Sequence, residues 1–112
     1  GNVLRTVYTG FSVSANTPVS GTSGVSPVTS SVSTVTVTGG TAPFTYQWRA
    51  WQNDPSYNPE GITIISPTAN ATDFRKTMPV PDTVSGEFEC VVTDALGASV
   101  VTNNVSVTLT KT

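Results

Sequence analysis

GTAPFTYQW at residues 40–48 and DTVSGEFEC at residues 82–90 decide the fold between them. In the first stretch Pro43 marks the start of a strand. Phe44, Tyr46, Trp48 and Ala50 then alternate with Thr45, Gln47, Arg49 and Trp51, so that one face is apolar and the other polar. In the second, Asp82 to Gly86 turns a corner and feeds a strand whose Phe88, Cys90 and Val92 share a face. A tryptophan and a cysteine pointing inward from two separate strands imply two sheets packed over one core, with Trp48, Tyr46, Phe88 and Cys90 inside it.

The same alternation extends in both directions. Phe11, Val13 and Ala15 alternate with Ser and Asn as a first strand, and Val35 and Val37 alternate with threonines as a second one that ends at Gly39-Gly40. Between them residues 18–31 are broken by Pro, Gly and Ser, and read as a loop or an irregular edge strand. QNDPSYNPEG at residues 52–61 is too polar and too punctuated for a strand and reads as a long exposed loop. Short strands are expected at residues 62–66, 72–78 and 86–94, and a last one from 99 to 109 follows a turn at Ala95-Leu96-Gly97. Nothing has helical periodicity. The expectation is an all-β sandwich of seven to eight antiparallel strands.

A chain of 112 residues is enough for one domain and short for two, so residues 1–112 are read as a single domain with its core at about 9–110. The opening Gly1-Asn2, without a methionine, implies a piece of a longer chain. Charged residues are 11% of the sequence, against roughly 25% in ordinary domains. The surface is therefore built from Thr, Ser and Asn, as suits an extracellular or virion-associated protein. Arg5, Arg49, Arg75, Lys76 and Lys111 are scattered and the net charge is -2, which gives nucleic acid no electrostatic footprint. Without an apolar run of about 18 residues no membrane insertion is expected.

The chemistry is sparse. One cysteine cannot form an internal disulfide, and Cys90, in phase with Phe88 and Val92, reads as a small buried hydrophobe. With no histidine, His-dependent triads and His zinc sites are excluded. Asp54, Glu60, Asp82 and Asp94 fall in turns that Asp favours for its own hydrogen bonds, and no loop spaces oxygen ligands as calcium requires. No catalytic residue, metal or cofactor is expected. Glu87 and Glu89 point outward beside Arg49, either as solvated charges or as an exposed cross-strand ion pair. One candidate contact surface stands out: Trp51, out of phase with the core, adjoins the polar loop holding Asn53, Tyr57 and Asn58. These aromatics either pack under their own loop or stack on a sugar ring or a protein partner.

The pattern Asp82, Gly86, Phe88, Cys90 resembles the D-x-x-x-G-x-Y-x-C corner of immunoglobulin domains. Phe88 stands where the tyrosine would be, and Val35 and Val37 where the partner cysteine would lie. GGTAPFTYQW and GEFECVVTDALGAS are more similar to bacterial and bacteriophage immunoglobulin-like modules of the PKD-like and adhesin type, over residues 36–109. The resemblance implies an immunoglobulin-like β-sandwich without a disulfide. It further implies a non-catalytic structural or accessory module of a phage tail, capsid or bacterial surface protein, acting as a spacer or weak adhesion domain. Its partners would be other virion or surface-protein modules and cell-surface glycans. The alternative is a dedicated carbohydrate- or protein-recognition module working through Trp51 and Tyr57.

Overall fold

The computed structural model describes residues 10–112. The first nine residues of the expected domain, Arg5 among them, lie outside the described residues. The described chain is all-β apart from two single-turn 3-10 helices, Trp51–Asn53 and Pro55–Tyr57. Its strands are β1 (Ser12–Ala15), β2 (Val19–Ser23), β3 (Val28–Thr29), β4 (Ser33–Thr38), β5 (Thr45–Ala50), β6 (Thr63–Ile64), β7 (Ala71–Thr72), β8 (Phe74–Lys76), β9 (Asp82–Thr93), β10 (Ser99–Val101) and β11 (Val105–Lys111).

The largest sheet is ordered around β9, which pairs antiparallel with β5 on one edge and with β10 and then β11 on the other. Two smaller sheets, β1-β4-β7 and β3-β8-β6, supply the opposing strands. They run into one another where Ser30 donates its amide to Phe74 O (2.8 Å) and accepts from the Phe74 amide at its own hydroxyl (3.1 Å). The core between these strands holds Trp48, Phe74, Phe88, Cys90, Val92, Val105, Val107 and Leu109, all at most 1% exposed. Phe74 bridges its aromatics, with ring centroids 6.0 Å from Trp48, edge-on, and 4.7 Å from Phe88. Val35 is buried, while Val37 and Tyr46 pack against the cluster and keep part of their surface exposed.

Three departures from the sequence reading have clear causes. The corner expected over Asp82 to Gly86 is extended strand, because these residues pair with β11 from Val107↔Gly86 to Lys111↔Asp82. Residues 18–31 hold two edge strands, β2 in the large sheet and β3 in the β3-β8-β6 sheet, and β2 runs parallel to β11, from Val19↔Val107 to Ser23↔Lys111, so the pairing is not wholly antiparallel. Gly21 permits this: a Cβ there would sit 2.0 Å from Thr29 O. The segmentation is finer than seven or eight strands, because turns and bulges interrupt elements that read as continuous. The return strand expected over 99–109 is one of these. Its register on β9 slips by one residue between Val101↔Val91 and Val105↔Phe88, a bulge that turns the Asn103 amide outward. That amide accepts from Ala15 N (2.9 Å) and donates to Ala15 O (3.1 Å), as a neighbouring strand would, and so ties β1 to the large sheet.

Much of both lateral edges is thereby covered. On one, β1 and β2 close against Asn103 and β11. On the other, Trp48 of β5 donates its amide to Pro67 O (2.8 Å) and its indole Nε1–H to Ala69 O (2.9 Å), drawing the β6–β7 loop across the strand. Trp48→Ala removes a fully buried ring and leaves the Ala69 carbonyl unpaired. It should lower the urea-unfolding free energy by about 3–5 kcal/mol, a large part of a typical domain's total. Trp48→Phe, which forfeits the indole hydrogen bond while keeping much of the ring, should lose less.

Candidate functional site

Strand β9 is twelve residues long and β5 six, and they pair only from Thr45↔Thr93 to Ala50↔Phe88. Past Phe88 the β5 edge of β9 has no strand beside it among the described residues. The alternation that turns Cys90 N toward the Thr102 hydroxyl (2.9 Å) turns the peptide groups of odd-numbered residues toward β5. At Ser85 they therefore face the vacated edge.

The loop after β5 fills that edge incompletely. Gln52 (φ 57°) and Asn53 (φ 54°) adopt the left-handed conformation, which swings the chain off the strand direction. Asp54 then caps the second 3-10 turn by accepting from Ser56 N (2.9 Å), a bond that holds its carboxyl below the usual range. Between this turn and the sheet lies a groove of about 380 Å³. Its loop wall is Ser56, Tyr57 and Pro59, and its sheet wall Ser85, Gly86 and Glu87 of β9 with Ser106 of β11. Gly86 suits this close approach: a Cβ there would crowd the Phe88 ring at 3.0 Å and touch Asn58 Oδ1 at 3.4 Å.

The four residues expected to form a contact surface divide. Tyr57 is half-buried and lines the groove. Asn58 does not point at a ligand: its amide donates to Ile62 O (3.0 Å) and accepts from Ile62 N (2.9 Å), closing the loop on itself. Asn53 is exposed and Trp51 partly buried, and neither lines the groove. The aromatic pairs among the described residues include neither Trp51 nor Tyr57. The sequence marks the sheet wall only indirectly, in that apolar alternation on β9 outlasts that on β5.

The carboxylates beside the groove are fixed. Glu87 Oε1 accepts from Asn104 Nδ2 in the bulge. Asn104 Oδ1 is buried without a partner among the described residues, so the amide's one strong bond is to Glu87. Glu89 is not a solvated surface charge: it is 3% exposed, and Arg49 Nε donates to its Oε2 at 2.6 Å from the directly opposite position on β5. The expected ion pair is present, but one member is buried, so its loss leaves a desolvated carboxylate.

Other reactive groups are in structural use. Asp94 accepts from Thr41, Leu96 and Ala98 amides and welds the β9–β10 turn to the turn before β5. Cys90 is fully buried, and burial pushes its thiol up to about 11. Among the described residues no group of three or more Asp, Glu, Cys or His is placed to hold a metal ion, and no helix is long and apolar enough to cross a membrane. No family model, curated protein or solved structure matches the chain.

Arg49→Met should destabilise the fold by about 1–3 kcal/mol in chemical denaturation, because Glu89 is left buried and unpaired. The double change Arg49→Met, Glu89→Leu should recover most of that loss. For Cys90, the folded state holds its proton to higher pH than the unfolded chain, whose thiol titrates near 9.0. This contribution to stability is complete below pH 9 and is lost as pH rises from 9 toward 11. Iodoacetamide should accordingly label native Cys90 far more slowly than the urea-unfolded chain at pH 8, and Cys90→Ala should flatten the alkaline fall in stability.

Proposed function

We propose that this chain is an immunoglobulin-like module of a phage virion or bacterial surface protein, non-catalytic, and serving as a spacer or accessory domain. Strand order supports the immunoglobulin-like part. Taken together, β1, β3/β4, β7/β8 and β6 follow the order A-B-E-D, and β5, β9 and β10/β11 follow C-F-G, with β2 added beyond the last. Phe88 replaces the corner tyrosine and packs on Phe74, so a ring contact takes the place of the missing hydroxyl bond.

The observation that carries the spacer reading is the covering of most of both lateral edges, by β2 and the Asn103 amide on one and by the β6–β7 loop along β5 on the other. Modules repeated at high local density on a particle or cell need edges that do not recruit one another, and covered edges meet that need without a disulfide. A surface of Thr, Ser and Asn fits an exterior location. A second reading, recognition of a carbohydrate or protein, is favoured by the groove beside Tyr57.

Antibodies raised against the folded domain test the location when applied to intact phage particles and intact bacterial cells of the source. Labelling of particle or cell exteriors is the expected result. Labelling only after cell lysis, with purified particles unlabelled, would overturn the proposal.

A further inference from the structure

We infer that the groove between Tyr57 and the unpaired end of β9 is a subsite for one neutral sugar ring of a glycan. The inference rests on the recognition reading above and is independent of which particle or cell carries the chain.

Its lining is a chemical set of limited range. One aromatic ring, Tyr57, stands half-buried on the loop wall. Facing it is one carboxylate, Glu87, and the hydroxyls of Ser56, Ser85 and Ser106 are exposed around them. An apolar ligand would strand these polar groups. An anion would meet Glu87 with no cation among the described residues of the lining to offset it. A neutral pyranose satisfies both walls: its C–H face lies on the tyrosine ring, while its hydroxyls donate to the carboxylate and accept from the serines.

Two features prepare the site. Asn104 holds Glu87 Oε1, while Oε2 takes no hydrogen bond among the described residues and is left for a ligand. The Ser85 peptide, on the edge that β5 leaves open, adds a backbone donor and acceptor. The volume, about 380 Å³, is at the small end of the range of about 300–1,000 Å³ for ligand pockets, as suits one ring held at an open cleft. A primary ammonium is the rival occupant, since it would pair with Glu87 over the Tyr57 face. The serines favour the sugar, because an ammonium donates only and leaves their hydroxyl protons unused.

The test is titration of the nitrogen-15-labelled domain, followed by amide chemical shifts, with glucose, galactose, N-acetylglucosamine and their short neutral oligomers. Glucuronate and ethylammonium serve as the charged comparators. The expected result is perturbation centred on Tyr57, Ser85, Gly86, Glu87 and Ser106 by at least one neutral sugar. Its dissociation constant should be of millimolar order and little changed by added salt. Tyr57→Ala and Glu87→Gln should each weaken that binding by about tenfold or more at an unchanged melting temperature. Glu87→Gln preserves shape at a partly exposed position, so it keeps the test decisive if Tyr57→Ala fails to fold. No perturbation by any neutral sugar, perturbation centred away from the groove, or ethylammonium binding in their place would each overturn the inference. None of these results would touch the exterior location tested by antibody labelling.

Discussion

Trp48 couples parts of the fold that backbone pairing alone leaves separate. Among the described residues its strand, β5, is paired on one edge only, to β9. The other edge is joined to the rest of the molecule by two bonds from this one residue, amide to Pro67 and indole to Ala69. The same ring meets Phe74 edge-on, and Phe74 in turn contacts Phe88 and pairs with Ser30. One side chain thus joins the large sheet, the β6–β7 loop and the opposing strands. The residue's size makes this possible: a smaller apolar side chain could fill the core but could not reach a carbonyl on the far side of the edge.

The opposite edge is closed by different means. There the chain switches from pairing β4 through β1 to pairing β11 through β2, and the Asn103 amide imitates a strand against Ala15. One edge is therefore held mainly by backbone pairing reinforced by a side-chain amide, and the other by an indole reinforced by a loop. Since the chain has one cysteine and no internal disulfide, packing and these clasps hold the layers together.

Much of this was legible in the residues. The inward phase of Trp48, Phe88, Cys90 and Val35, the turn at Ala95-Leu96-Gly97 and the polar loop over 52–61 all follow from local alternation and turn chemistry, which operate over a few residues. What escaped depends on long-range register. The parallel seating of β2 on β11 needs Gly21 against Thr29, and the bulge at Asn103 appears only once both strands are laid on β9. Glu89 shows the same limit: alternation correctly turned it away from the core, but its burial depends on what else covers that outer face, which no local pattern records. At the candidate site Tyr57 was legible as an exposed-loop aromatic, whereas Asn58 was not legible as a loop clasp.

The groove follows from a mismatch in strand length. A twelve-residue β9 is needed to carry β10 and β11 along one edge, while β5 is ended on the other by the left-handed turn at Gln52 and Asn53. The remainder of that edge must be covered or left open. The loop covers it only where Gly86 allows the chain to come close, at Asn58, and stands away where Tyr57 and Pro59 arch over Ser85 and Glu87. The opening therefore lies where the rigid sheet meets the irregular loop. Its sheet wall is fixed by register and its loop wall is the part free to vary in sequence at little cost to the fold. A fold that needs only its core and its clasps to stand can carry recognition at such a place, because none of the groove's exposed serines is needed to hold the layers together.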